Sequence, residues 1–343
     1  MNIYSRRRLP LFSFLNKRAR IDGLSGIALR DDGIAVARAG TAAGGEAPHL
    51  RLCDFVPLEG DEQLPATLSK LGKQHHLEAG ECSSVAAHES FSLLLIEAPQ
   101  VESSELKAAV RWQIKELIDF HIDDAVIDVF DIPGQQERGR PKLMYVVAAR
   151  TRAVQGHIDL LEQSGINLQV IDIPELALRN IAALLPEDQA GVATLYIGPQ
   201  HSMLIFTRQQ TLYLSRRIEM GLEQLLNYAN TPAEEDEFTL DGEESSMPAA
   251  LQRALDNIVL EIQRSMDYYE SHFSLPPVSG LVIAPLEQSV PGVMGYLGGN
   301  LGVPVRTLDL NALFESEEVL SDQRQSQCLF AIGAALREER RAL

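Results

Sequence analysis

The residue types that do chemistry are present in this chain, but not in the patterns that chemistry needs. Cys53, Cys82 and Cys328 stand far apart and form no C-x-x-C pair, so they read as reduced thiols and not as metal ligands. His75 and His76 are adjacent, a spacing that cannot put two imidazoles on one helix face. Asp123 and Asp124 fall in a polar connection, and nothing brings a third acid to them for general acid–base work. Gly295, Gly298, Gly299 and Gly302 suggest a nucleotide loop, yet they close a predicted helix instead of joining a strand to one. A helix cap and turn is the better reading. The chain has no phosphate-loop pattern of Gly, four residues, then Gly-Lys-Ser/Thr, no His-Glu-x-x-His and no Gly-x-Ser-x-Gly. The expected metal set is none, and no catalytic residue is assigned.

Charge is the strongest compositional signal. The 343 residues carry a formal charge of −18, from 30 basic and 48 acidic groups. A chain this acidic does not neutralise phosphates, so nucleic acid is excluded as a partner. Six basic residues, Arg6, Arg7, Arg8, Lys17, Arg18 and Arg20, sit in the first 20 positions with no acid among them. Leu9–Leu15 makes a poor secretion signal: Pro10 interrupts it, and Asn16-Lys17-Arg18 stands where small cleavage-site residues belong. Phe and Leu between basic groups suit an anionic membrane surface, and a solvated basic tail is the competing reading. No stretch approaches the roughly 18 apolar residues needed to span a bilayer.

The elements that would position any site follow from periodicity. Gly26–Arg30 and Ile34–Arg38 read as strands around an Asp31-Asp32-Gly33 turn, with a third strand at Leu50–Val56. A helix is expected at Ala66–His75 and a buried strand at Phe91–Ile96. Ser103 or Ser104 would cap a helix whose stripe is Leu106, Val110, Ile114, Leu117 and Ile118. Trp112 falls off that stripe, on the side of Glu105 and Glu116. Strands follow at Ala125–Ile132, Leu143–Ala149 and Leu168–Ile173, and helices at Ala153–Gln163 and from Pro174 to Leu185. A second run of three strands, Val192–Ile197, Met203–Thr207 and Leu212–Arg216, precedes a helix at Leu222–Tyr228, repeating the order at the start. Residues 233–250 form an acidic insert. The long helix Leu251–Phe273, a strand at Leu281–Ala284, a helix at Pro291–Leu297, a strand at Val303–Leu308 and a helix at Gln327–Arg340 complete the chain. The repeat predicts a duplicated α/β architecture around a central cleft.

Four stretches resemble the PilM family of type IV pilus assembly proteins, whose fold is that of the actin-like ATPases and close to the cell-division protein FtsA. They are Glu105-Leu106 through Trp112 to Asp128; Ser164-Gly165-Ile166 with Ile171 to Leu178; Tyr196-Ile197-Gly198 with Arg216 to Gly221; and Leu260 to Tyr269 with Val278 to Val305. Within the family, the MshI type of the mannose-sensitive haemagglutinin (MSHA) pilus system is the nearest fit. The resemblance implies a duplicated actin-like (RNase H-like) α/β fold with two lobes and an inserted α/β subdomain. On it, residues 1–22 are a basic tail and 23–186 the first lobe, with the insertion at about 97–170; 187–343 form the second lobe, with an acidic and helical subdomain at about 230–275.

The resemblance also implies a nucleotide site, and the residues depart from it. Ala28 replaces the Asp of the first phosphate motif, and Arg30 replaces its Gly. In the second phosphate motif Tyr196 replaces the metal-side Asp while Gly198 survives. Ala284 and Pro285 stand where the adenosine motif has a Gly pair. A carboxylate for magnesium, a glycine for close approach and a free backbone donor are lost. The expectation is a degenerate site at which ATP and Mg bind weakly or not at all, hence no enzyme; an active actin-like ATPase of the pilus or of a type II secretion-like apparatus, or a metabolite kinase, are the alternatives. By resemblance the chain is a cytoplasmic scaffold, peripheral to the bacterial inner membrane. It would hold the cytoplasmic tail of an inner-membrane PilN-like or MshJ-like protein beside the inserted subdomain, within the pilus assembly platform. Trp112, Glu105 and Glu116 are the contact candidates, with docking of Trp112 onto its own chain as the competing reading.

Overall fold

The computed structural model describes residues 23–40, 47–60, 63–135, 141–231 and 247–338. Arg6, Arg7, Arg8, Lys17, Arg18 and Arg20 lie outside the described residues, as does most of the acidic insert. In chain order the first half runs β1 (Leu24–Arg30), β2 (Gly33–Ala39), β3 (His49–Pro57), α1 (Leu64–Gln74), β4 (Cys82–Val85), β5 (Phe91–Glu97), α2 (Leu106–Ile114), β6 (Ala125–Asp131), β7 (Leu143–Arg150), α3 (Thr151–Gln163), β8 (Leu168–Asp172) and α4 (Pro174–Ala182). The second half runs β9 (Val192–Ile197), β10 (Ser202–Arg208), β11 (Thr211–Ile218), α5 (Leu222–Ala229), α6 (Ala249–Phe273), β12 (Leu281–Ile283), α7 (Val293–Asn300), β13 (Val305–Thr307), β14 (Glu315–Ser316) and α8 (Asp322–Ala335).

The strand order proves the duplication. One sheet reads β14-β3-β2-β1-β4-β8 and another reads β11-β10-β9-β12-β13. Each contains an antiparallel three-strand meander followed, on the first strand's other side, by two parallel strands. That shared order, repeated in two lobes, is the actin-like ATPase arrangement. The parallel strands need crossovers, and helices supply them. Between β4 and β8 the crossover has grown into a third sheet, ordered β5-β7-β6. One face of this inserted sheet packs on α2 through Ile96, Val110, Ile114, Val129 and Met144. Its other face joins the central core through Leu93, Leu95, Phe130 and Tyr145. The Tyr145 hydroxyl donates to the Tyr213 carbonyl at 3.1 Å, so the insertion also touches the second lobe.

Helices α4 and α8 lie at the centre, in the cluster shared by both lobes. They cross closely because residue 333 is glycine: a Cβ there would stand 2.1 Å from the Ala177 carbonyl oxygen. Asn180 Nδ2 donates to the Gly333 carbonyl at 2.9 Å and locks the crossing.

Several local expectations change. Helix α2 begins after Glu105, with no side-chain cap from Ser103 or Ser104, and ends at Ile114. Leu117 is consequently 57% exposed instead of lying on the buried stripe. Glu116 falls past the helix end, while Ile118 still reaches the insertion's core. Helix α8 starts at Asp322, capped by Ser321 Oγ accepting from the Arg324 amide at 3.2 Å, and stops at Ala335. Gly295, Gly298 and Gly299 lie inside α7, and Gly302 takes a left-handed turn at φ +69 just beyond it. Among the described residues no helix is long and apolar enough to cross a membrane.

Candidate functional site

Two cavities open at the junctions of these sheets. The first, about 440 Å³, is the cleft between the lobes. The β1–β2 turn supplies Ala28 to Asp32, the segment after β4 supplies Val85 to Glu89, and the β9–β10 hairpin supplies Tyr196 to His201. Glu223 and Leu226 of α5, Glu287 and Gln288 after β12, and Phe330 of α8 close it. Four of the six nucleotide-motif positions therefore converge here: Ala28, Arg30, Tyr196 and Gly198. Ala284 and Pro285 do not reach the lining; both are buried behind it, and the Ala284 amide donates to the Leu195 carbonyl at 2.8 Å.

The chemistry of the lining is set by what its polar groups already bind. Arg30 Nε donates to Asp32 at 2.7 Å, and Nη2 donates to both Asp32, at 3.1 Å, and Glu287. Burial opposes the guanidinium charge, and the hydrogen bond to Asp32 with the fields of Tyr196, Glu287 and Asp32 outweighs it, so the pKa stays above its ordinary value. The first amides of α5 point at the hairpin, where a helix N-terminus would otherwise attract an anion. The Leu222 amide donates to the Gly198 carbonyl at 2.8 Å, and the Glu223 amide to the Pro199 carbonyl at 3.0 Å. The Gly221 amide donates to Gln224 Oε1 at 3.3 Å, and the Gly198 amide to the His201 carbonyl at 3.0 Å. The remaining charges of the lining are carboxylates: Asp31, Glu89 and Glu223.

Histidines cross the same cleft. The rings of His88 and His201 stack at 4.6 Å between centroids. Burial, helped by His201 and Arg217, pulls the His88 imidazole down to about 4, and burial with Arg217 lowers His201 as well. Both shifts favour the neutral ring, and two neutral rings stack without like-charge repulsion. Neither histidine was singled out by sequence reasoning. An isolated His in a turn carries no motif, and only the fold shows that positions 88 and 201 face each other.

The second cavity, about 550 Å³, runs between the inserted sheet, the β8–α4 junction and the β10–β11 turn. Leu106, Phe130, Leu176 and Leu212 give it apolar walls, and Arg179, Arg337, Asp128 and Asp131 line it as well. Arg337 pairs with buried Asp172 at 2.9 Å. Strand β6 borders this groove and is an edge: among the described residues it pairs with β7 alone. Sequence reasoning assigned none of these residues to a site, because they come from widely separated stretches of the chain.

Trp112, Glu105 and Glu116 line neither cavity. Trp112 is 78% exposed on the outer face of α2, its ring 5.9 Å from the Lys115 ammonium. It does not dock on its own chain. Glu105 and Glu116 are exposed at opposite ends of the helix. His75 Nε2 lies 3.0 Å from Asp54, and Asp123 lies 3.6 Å from Arg111. Among the described residues no three His, Cys, Asp or Glu side chains converge as a metal set. The three cysteines are free thiols.

A family model described as type IV pilus assembly protein PilM matches residues 78–339, spanning the insertion, the groove and the second lobe. The chain belongs to the PilM family. A solved PilM–PilN type IV pilus biogenesis complex aligns with a TM-score of 0.69, covering 92% of this chain and 98% of that one at 20% identity. That likeness establishes a shared PilM fold. The cytoplasmic domain of EpsL, an inner-membrane component of the Vibrio cholerae type II secretion system, aligns at a TM-score of 0.45, with 10% identity over 90% of this chain and 94% of that one. A Bacteroides thetaiotaomicron protein of actin-like ATPase fold aligns at 0.45, with 9% identity over 86% of this chain and 93% of that one. No curated protein sequence matches the chain.

Proposed function

We propose that this PilM-family protein is a non-catalytic scaffold of a type IV pilus assembly machine, holding an extended tail of an inner-membrane PilN-like protein in the groove beside the inserted sheet. The observation that carries the reading is the unpaired edge of β6 along a groove with apolar walls. An extended segment gains affinity there from main-chain hydrogen bonds to the strand edge and from side chains in the pockets. The solved complex joins a PilM to a PilN, and its PilM fold is this one.

The inter-lobe cleft, on this reading, is a degenerate nucleotide site. Phosphates need free amide donors, and the Gly198, Gly221, Leu222 and Glu223 amides already have acceptors. Phosphates also need positive charge, and the single guanidinium here is bound to two carboxylates beside three more. No carboxylate stands at position 28 or 196 to hold magnesium. The lining does not fit a magnesium–nucleoside triphosphate. The finer assignment is the MshI type of the MSHA system with an MshJ-like partner, sitting at the cytoplasmic face of the inner membrane with the basic tail on anionic lipid.

The test is fluorescence anisotropy with labelled synthetic N-terminal tails of PilN-like proteins encoded beside this chain. The expected result is a Kd below about 100 µM. Filling the groove with Thr211→Trp weakens binding at least about tenfold, and Trp112→Ala leaves it unchanged. Absence of binding by every tail sinks the scaffold reading. Loss of binding in Trp112→Ala moves the tail to the outer face of α2.

A further inference from the structure

Two lobes joined at one side stay closed over a cleft only if something touches both walls. In this cleft the chain's own Arg30 does so. It leaves the first lobe at the end of β1 and meets Glu287 in the loop after β12 of the second. Its side chain is 13% exposed. The Phe55 ring lies 5.7 Å beneath the guanidinium, and the Tyr196 hydroxyl faces it from the second lobe. Asp32, on the same lobe as Arg30, takes two of its donors and aims the rest. Beside this pair the His88–His201 stack also crosses between the lobes, and Tyr196 meets Phe330 of the central helix α8 edge to face at 4.7 Å.

We propose that Arg30 is an internal latch that stands in for a lobe-bridging ligand, so that closure of the cleft is encoded in the chain and needs no nucleotide. The inference rests on the reading of the cleft as degenerate and goes beyond it. That reading says what does not bind; the latch says what replaces it. A second role for Arg30, as a phosphate ligand, is disfavoured by its geometry, since its Nε and Nη2 donors are committed to two carboxylates whose negative charge opposes a phosphate beside them.

The pair is also suited to a latch on physical grounds. Its partial burial limits screening by water and salt, unlike a surface ion pair. Asp32 and Glu287 contribute unequally. Asp32 positions the guanidinium, and only Glu287 spans the gap. Losing Glu287 leaves Arg30 still paired, so no buried charge is stranded and the fold survives. The latch is thus separable from the stability of each lobe.

Hydrogen exchange of the full chain tests it. In Glu287→Gln, amides of the two facing turns, residues 31–33 and 198–201, exchange at least about fivefold faster than in the wild type, and core strands β9 and β12 do not change. Arg30→Met gives at least the same acceleration, and the double variant adds nothing to Arg30→Met, because the contact that Glu287→Gln breaks is already lost there. Unchanged exchange in Glu287→Gln, or additive effects in the double variant, overturns the latch. Calorimetry with magnesium–ATP on the wild type separates the two ideas. Saturable binding removes the degenerate-cleft reading and the latch with it. No binding together with unchanged exchange in Glu287→Gln removes the latch alone.

Discussion

Glu175 shows how one side chain can be at odds with its surroundings. It sits in the first turn of α4, 3% exposed, with Oε2 unpartnered and Oε1 3.8 Å from His88 Nδ1. Burial, opposed by a backbone hydrogen bond and reinforced by Asp172, pushes its carboxyl up to about 7. The folded state therefore holds a proton that the unfolded chain has already released. The stability this contributes is fully present below the unfolded value near 4.5 and is lost as pH rises through 7. Glu175→Gln fixes the neutral form. It is expected to be more stable than the wild type at pH 8 by on the order of 1–3 kcal/mol, with the gap vanishing by about pH 5. His88, depressed to about 4, gains stability in the opposite direction as pH rises, but it is common to both proteins. Urea unfolding at four pH values reads the difference, and a gap constant with pH removes the explanation.

At the scale of elements, tight crossing and free space make opposite predictions for the same substitution. Gly333→Ala in α8 drives a methyl into the Ala177 carbonyl of α4, and neither backbone can move far. It is expected to cost about 2–3 kcal/mol. Gly295→Ala in α7 meets nothing within 4 Å and is expected to gain about 0.5–1 kcal/mol from helix propensity. Equal effects in thermal unfolding would remove the packing argument. The same two helices show what the sequence could and could not tell. The meanders are readable because Gly33 follows an Asp-Asp turn and because β9 to β11 are apolar runs separated by turn residues at Gly198-Pro199 and Arg208 to Gln210. Strand β4 was not, since it reads Cys-Ser-Ser-Val and carries Ser83 and Ser84 at 0% exposure in the middle of a sheet. Ser84 is accommodated by a 2.9 Å hydrogen bond to His157, a partner 73 positions away that no local pattern reveals. Helix α8 was misplaced by several residues because it is buried on more than one side and lacks an amphipathic stripe to mark its ends. The nucleotide-motif positions could be named because they follow strands in a recognisable order. The groove could not, because its walls meet only after the insertion folds back on both lobes.

The whole molecule is an acidic body with a basic beginning. Beyond residue 20 the chain holds 24 basic against 48 acidic residues, so a membrane carrying anionic lipid repels the body and attracts only the first segment. A basic segment gains roughly 1 kcal/mol per basic residue at such a surface, and on the proposed tether Phe12, Phe14 and Leu15 would add apolar contact. On the proposed tether these would offset the repulsion of the body without a spanning helix. They would also bring the groove within reach of a partner's tail emerging from the same membrane. Flotation with vesicles containing phosphatidylglycerol checks the idea. The full chain is expected to float with them at low salt, to be released as salt rises, and to ignore neutral phosphatidylcholine vesicles. Deleting residues 1–20 spares every described element, since β1 begins at Leu24, and should abolish flotation while leaving tail-peptide binding intact. Equal flotation of the deleted and full chains would mean that the membrane is reached only through the partner, and the scaffold would then be recruited by its groove alone.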